Sequence, residues 1–108
     1  MSVRLPQRGS PSEPLAPRSS PLRQVLTALS FVHGLGLIHC DLKPENVLIV
    51  SLSRCIVKLI DFGSSCFVND PHSSYVQSRA YRAPEVVLGL PYGPRIDVWS
   101  LGCILAEV

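Results

Sequence analysis

His39-Cys40-Asp41-Leu42-Lys43-Pro44-Glu45-Asn46 sets an acid, an ammonium and an amide in one tight loop. Two short β-rich runs follow it, Val47-Leu48-Ile49-Val50 and Ile56-Val57-Lys58-Leu59-Ile60, with a polar turn, Ser51 to Arg54, between them. That pattern predicts a hairpin. A carboxylate such as Asp41, in a loop just before a strand, can accept a hydroxyl proton and hold the hydroxyl in line with a phosphoryl group. Lys43 can neutralise charge on a transferred phosphate. Asp61-Phe62-Gly63 comes directly after the second strand. Asn46 and Asp61 then offer a neutral and a charged oxygen, a pair suited to Mg²⁺, which is held by one or two carboxylates plus phosphate oxygens and water. Gly63 lets the backbone turn sharply beside Asp61.

Upstream, Ser20-Pro21 reads as an N-cap and a first helical position. Leu22, Val25, Leu26, Leu29 and Val32 then recur at helical spacing, and Gly34 and Gly36 end the helix after about three and a half turns. Gly34 to His39 nearly spells a dinucleotide-binding fingerprint. It follows a helix instead of a strand, and its last position is His, so the reading is discarded. Downstream, residues 64–82 form a polar loop carrying Tyr75, Arg79, Tyr81 and Arg82. Ala83-Pro84-Glu85 introduces a short helical run, Val86 to Leu90. From about Arg95 the apolar residues Ile96, Val98, Trp99, Leu101, Ile104, Leu105 and Val108 point nearly all round a helix, as in a helix meant to be fully buried. Residues 1–20 are rich in Pro, Ser and Arg with no apolar period, and are expected to be a disordered leader.

The 108 residues allow one small domain or part of a larger one. A hydrophobic content of 46% and a mean hydropathy of +0.27 are high for so short a chain. A formal charge of +2 gives no argument for nucleic acid or a membrane surface. No apolar run reaches a transmembrane length, and no signal peptide is evident. Cys40, Cys55, Cys66 and Cys103 form no C-x-x-C pair and do not read as a zinc site. They are expected to be reduced thiols, mostly buried, in an intracellular protein, cytoplasmic or nuclear.

Alone, Asp-Leu-Lys is a surface loop, Asp-Phe-Gly a turn and Ala-Pro-Glu a helix start. Together and in this order they resemble the protein kinase family, whose catalytic loop, D-F-G and A-P-E they match. The resemblance covers about residues 22–108. It implies an α+β fold: part of the kinase C-lobe, mainly helical, with a small hairpin beside the catalytic loop, occupying residues 21–108. It implies Asp41 as catalytic base and Lys43 as the γ-phosphate contact. Lys43, Glu45, Asn46 and Asp61 would serve the nucleotide, with Asn46 and Asp61 as metal ligands, ATP and Mg²⁺ as cofactors and proteins as substrates. His39, Glu85 and Asp97 take structural roles, Asp97 tying down the catalytic-loop backbone.

Cys40 stands where most kinases have an Arg that binds an activation-loop phosphate. HCDLKPEN, IDFGSSCF, YVQSRAYRAPE and IDVWSLGCILAE are together similar to the DYRK family, dual-specificity tyrosine-regulated kinases of the CMGC group. On that resemblance Tyr75 is the autophosphorylated tyrosine, and Arg79 and Arg82 its phosphate partners. Ser73 replaces a first tyrosine that the family often carries. No Gly-rich loop, no V-A-I-K-like strand and no Lys–Glu pair occurs in the sequence. The expectation is a kinase fragment inactive alone, molten or prone to aggregate. Its rivals are a non-catalytic decoy that binds an intact kinase or scaffold, and a partial gene product without function of its own.

Overall fold

A computed structural model describes residues 20–107; the leader read at residues 1–20 lies outside them, Ser20 excepted. Helix α1 spans Pro21–Gly34. Ser20 caps it, its Oγ accepting the Arg23 N–H at 3.1 Å, and Pro21 occupies a position where no intrahelical donor is needed. Gly34 is the last helical residue, and Gly36, at φ +80°, makes the left-handed turn out of the helix.

The expected hairpin forms from β2, Val47–Ser51, and β3, Ile56–Leu59, antiparallel with an irregular register between Ile49 and Ser51. A second two-stranded sheet was not expected. Its strands β1, Leu37–Ile38, and β4, Cys66–Phe67, pair antiparallel. The stretch read as an unbroken polar loop thus contains a strand, and also a single 3₁₀ turn at Arg79–Tyr81. Helix α2 is Pro84–Val87, shorter than expected, and α3 is Arg95–Glu107. Regular structure is mainly helical with two small sheets, the α+β arrangement expected.

Two apolar clusters hold these parts together. The first packs Val25, Ala28 and Leu29 of α1 against Leu42, Val57, Leu59 and Leu101. The second joins Ile38 and Cys40 to Val76, Ala83, Val86 and Ile96. The loop 39–46 supplies Leu42 to one cluster and Cys40 to the other, so burial on both sides fixes its path.

Three expectations need correction. Leu22 and Leu26 do not join the buried stripe of α1 and remain exposed. The stripe is rotated because Gln24 turns inward: its Oε1 accepts the Val57 N–H at 2.9 Å and its Nε2 donates to the Cys55 carbonyl. Helix α3 is not wrapped on all sides. Ile96, Asp97, Ser100 and Leu101 are buried, whereas Val98 and Trp99 lie about half exposed, because the described residues pack against one face. All four cysteines are free thiols, but Cys40 alone is fully buried. Cys66 and Cys103 are intermediate, and Cys55, at the exposed hairpin turn, is open to solvent. No helix among the described residues is long and apolar enough to cross a membrane.

Candidate active site

The loop 39–46 leaves β1 at a residue in an unusual conformation. Cys40 has φ +71°, a left-handed geometry uncommon outside glycine. Asp97, with no exposed surface, stabilises it from α3. Its Oδ2 accepts the His39 N–H at 2.8 Å and its Oδ1 the Cys40 N–H at 3.0 Å. His33, at the end of α1, reaches the same Oδ2 through Nε2 at 2.8 Å. A buried carboxylate is tolerable only with such partners. Its place in the first turn of α3 also suits its charge.

His39 is fully buried and joins the loop to the end of β3. The Asp41 N–H donates to Nδ1 at 3.1 Å, so that nitrogen carries no proton; Nε2–H then donates to the Ile60 carbonyl at 3.0 Å. The Phe62 ring meets the imidazole edge-on at 4.7 Å. The Ile60 N–H donates to the Asn46 carbonyl at 2.9 Å. The backbone just before Asp61 is therefore tied both to His39 and to Asn46. Asp61 has φ +61°, and its exposed carboxylate accepts the Gly63 N–H at 3.3 Å. A methyl group at Gly63 would lie 3.3 Å from that same oxygen, so position 63 is kept bare beside the acid.

Asp41, Lys43 and Asn46 share one neighbourhood. Asn46 is buried in the 3₁₀ turn Pro44–Asn46, and its Nδ2 donates to the Asp41 carbonyl at 2.7 Å. That fixes the amide's orientation and leaves Oδ1 as its acceptor atom. Lys43 Nζ lies 3.7 Å from Asp41 Oδ2. The residue that joins Asp41 to Lys43 was missed from the sequence. Ser78 Oγ–H donates to Asp41 Oδ1 at 2.9 Å and accepts from Lys43 Nζ at 3.2 Å. Asp41 thus already receives a hydroxyl proton donor, as a catalytic base would from a substrate. Ser78 is held by its neighbour Gln77, buried at φ +67°. The Gln77 amide donates to the Ile96 carbonyl and the Ser100 hydroxyl, and accepts the Ala83 N–H, all within 2.8 Å. His33 and Ser78 gave no local signal, since their partners lie 64 and 35–37 positions away; Gln77 has one near partner, Ala83 six positions on, and two distant ones, Ile96 and Ser100, 19 and 23 positions on.

The remaining candidates stand apart. Glu45 is exposed in the 3₁₀ turn. Glu85 sits in the first turn of α2, and no ion pair holds it among the described residues. Tyr75 is 91% exposed. Arg82 spends Nε on the Val76 carbonyl at 3.0 Å and Nη2 on the Gln77 carbonyl at 2.8 Å, and Arg79 is exposed. Among the described residues no hydrogen bond joins the Tyr75 side chain to either arginine. A concavity of about 240 Å³ lies between His72–Ser74 and Val86–Tyr92, and no candidate site residue lines it.

Comparison with known proteins decides what such a loop belongs to. Residues 8–108 match the model of the protein kinase domain. The chain belongs to the protein kinase family. Within it, the chain is similar to DYRK-family kinases. It is 59% identical over 85 residues to the serine/threonine-protein kinase ppk5 of Schizosaccharomyces pombe, covering 79% of this chain and 10% of that protein. It is 52% identical over 95 residues to the DYRK-family kinase pom1 of the same yeast, 88% of this chain and 9% of that one. It is 54% identical over 84 residues to the Drosophila melanogaster dual specificity tyrosine-phosphorylation-regulated kinase 2, 78% and 12% respectively. The chain therefore spans about a tenth of the length of the curated relatives it matches.

Proposed function

We propose that residues 21–108 are part of the C-terminal lobe of a DYRK-like kinase domain. The activity of that domain is transfer of the ATP γ-phosphoryl group to serine and threonine hydroxyls of proteins, with tyrosine autophosphorylation at Tyr75. The observation that carries this reading is the Ser78 hydroxyl, held between Asp41 Oδ1 and Lys43 Nζ at 2.9 and 3.2 Å. A substrate hydroxyl arriving at Asp41 would meet the same two groups, an acceptor for its proton and a cation for the charge on the incoming phosphate.

The donor set suits Mg²⁺. Asn46 Oδ1 and the Asp61 carboxylate are hard oxygens, and no cluster of three His, Cys, Asp or Glu among the described residues forms a cage of its own. Such a site fits a cation that brings phosphate oxygens and water with it. Bound Mg·ATP would supply the phosphoryl group and neutralise part of its charge. Lys43 would face the phosphates, and Glu45 would complete the nucleotide contacts. Asp41 would receive the hydroxyl proton at its carboxylate, while Asp97 and His39 hold the loop from beneath. Phosphate on Tyr75 would draw Arg79, and compete for Arg82 with the Val76 and Gln77 carbonyls.

The chain carries no Gly-rich loop and no strand lysine of the V-A-I-K type, so by itself it is expected to bind nucleotide weakly and turn over none. A graft tests the site directly. Residues 21–107 replace the matching stretch of a DYRK-family relative, and phosphate transfer to a protein substrate is measured. Activity in the graft that falls at least a hundredfold in Asp41→Asn supports the reading. A folded graft with no activity, or one indifferent to Asp41→Asn, refutes it. The half-exposed Val98 and Trp99 of α3 favour a second reading, a non-catalytic segment that docks on an intact kinase or scaffold. It predicts inhibition of an intact DYRK-family kinase by the free chain.

A further inference from the structure

The backbone at Ser78 is fixed from both sides. The Gln77 amide is anchored to the Ile96 carbonyl, the Ser100 hydroxyl and the Ala83 N–H, and the Ser78 carbonyl accepts the Tyr81 N–H at 2.9 Å. Rotation of its own side chain is the freedom left to Ser78. That side chain aims its hydroxyl at Asp41 Oδ1, 2.9 Å away, with Lys43 Nζ at 3.2 Å. We propose, resting on the kinase reading above, that Ser78 is a self-modification site: it takes a phosphoryl group from the nucleotide at its own chain's Asp41, and in doing so closes the site.

Hydroxyls close to it in sequence lack this placement. Ser73 Oγ accepts the Tyr75 N–H at 3.0 Å, and Tyr75 is 91% exposed. Among the described residues no hydrogen bond joins either side chain to Asp41, whereas Ser78 already lies within reach of a base. In the step, Ser78 Oγ forms a bond to the γ-phosphorus of ATP. The bond from that phosphorus to the β–γ bridging oxygen breaks, and ADP leaves with that oxygen and the electron pair. The Ser78 proton passes to Asp41 Oδ1 and from there to water. Serine and ATP thus become phosphoserine, ADP and a proton.

The product reverses what the hydroxyl contributed. A phosphate brings about −1.5 to −2 charge to a point within hydrogen-bond distance of the Asp41 carboxylate. The two repel. Lys43 Nζ, 3.7 Å from Asp41 Oδ2, is drawn to the phosphate instead. An incoming substrate hydroxyl then finds its place filled and its cation engaged. Each transfer therefore silences the site until hydrolysis of the phosphate ester restores it.

The graft described above is incubated with Mg·ATP, and phosphopeptides are located by tandem mass spectrometry. Phosphate should accumulate on Ser78, at a rate unchanged by dilution, in Tyr75→Phe as in the parent. In Asp41→Asn that rate should fall about a hundredfold or more. A graft that phosphorylates a protein substrate and leaves Ser78 bare overturns the self-modification while the kinase reading stands. One that phosphorylates nothing overturns the kinase reading, and the self-modification with it. Labelling of Ser78 that slows in proportion to dilution also overturns it, since the phosphate then comes from another molecule's site. A second readout needs no catalysis. The full 108-residue chain, synthesised with a phosphate on Ser78, is compared with the unmodified chain by hydrogen exchange. Peptides spanning residues 41–46 should exchange about tenfold to a hundredfold faster, the worth of the charge-assisted bond from Ser78 to Asp41. Equal exchange in the two chains means that the phosphate leaves Asp41 undisturbed, and refutes the closure.

Discussion

Replacing Asp97 by Ala removes the acceptor for two buried backbone donors, the N–H groups of His39 and Cys40 at 2.8 and 3.0 Å. It also frees the His33 ring from its 2.8 Å contact. A buried donor left unsatisfied costs about 1–3 kcal/mol, so the two amides together cost roughly 2–6 kcal/mol. That is a large part of the 5–15 kcal/mol that holds a typical domain. The loss falls first on the loop 39–46, because both donors flank its left-handed residue, Cys40. Hydrogen exchange read by mass spectrometry on peptides spanning residues 38–42 measures it. At about 1.4 kcal/mol per decade, exchange of these amides should accelerate by roughly one and a half to four decades. Asp97→Asn, which retains one acceptor oxygen, should fall between Ala and the parent chain. The reasoning is refuted if the peptide exchanges at the parent rate in Asp97→Ala, or if His39 and Cys40 already exchange freely in the parent.

Gly63→Ala should push the Asp61 carboxylate aside, since the added methyl would stand 3.3 Å from Oδ1; Mn²⁺, as a paramagnetic probe, should then broaden Asn46 and Asp61 resonances less than in the parent. Ser78→Ala in the graft should lower phosphate transfer about tenfold to a hundredfold, the worth of a hydrogen bond to charged groups, and unchanged rates would remove Ser78 from the site. Burial, with the nearby Cys40 and Cys66, pushes the Tyr92 phenol up to about 12. An acid whose pKa is raised on folding contributes stability that is complete below its unfolded value of about 10 and lost as pH climbs through the folded one, so alkaline unfolding should begin earlier in the parent than in Tyr92→Phe. Trp99→Glu and Val98→Lys together should reduce self-association of the free chain in sedimentation, because both positions lie about half exposed on the outer face of α3.

Much of the fold was written in local chemistry. Ser20-Pro21 marks the start of α1 through its own side chain and ring, and the β-rich runs around Ser51–Arg54 mark the hairpin. The sheet of β1 and β4 left no such mark, because each strand has two residues and no period can show in two. The inward turn of Gln24 was equally hidden. A glutamine among leucines reads as the solvent side until its hairpin partners, 31 and 33 positions away, are in place. Within the candidate site, Asp41, Lys43, Asn46 and Asp61 were legible as chemistry that would serve one purpose. Ser78 and His33 were not, since a serine in a polar loop and a histidine at a helix end carry no meaning without the groups they reach. Leu22 and Leu26 misled for the opposite reason: spacing reports which residues share a helix face, and not whether anything covers it.

The grip of Gln24 on the hairpin has a mechanical outcome. One amide fastens the first turns of α1 to the start of β3, and the segment carrying His39 to Asn46 runs between those two bodies. Pulling either end of that segment must drag helix and hairpin as a pair, so the span between them behaves like a string on a rigid bow. Gln24→Leu would slacken the string while leaving every candidate site residue in the chain.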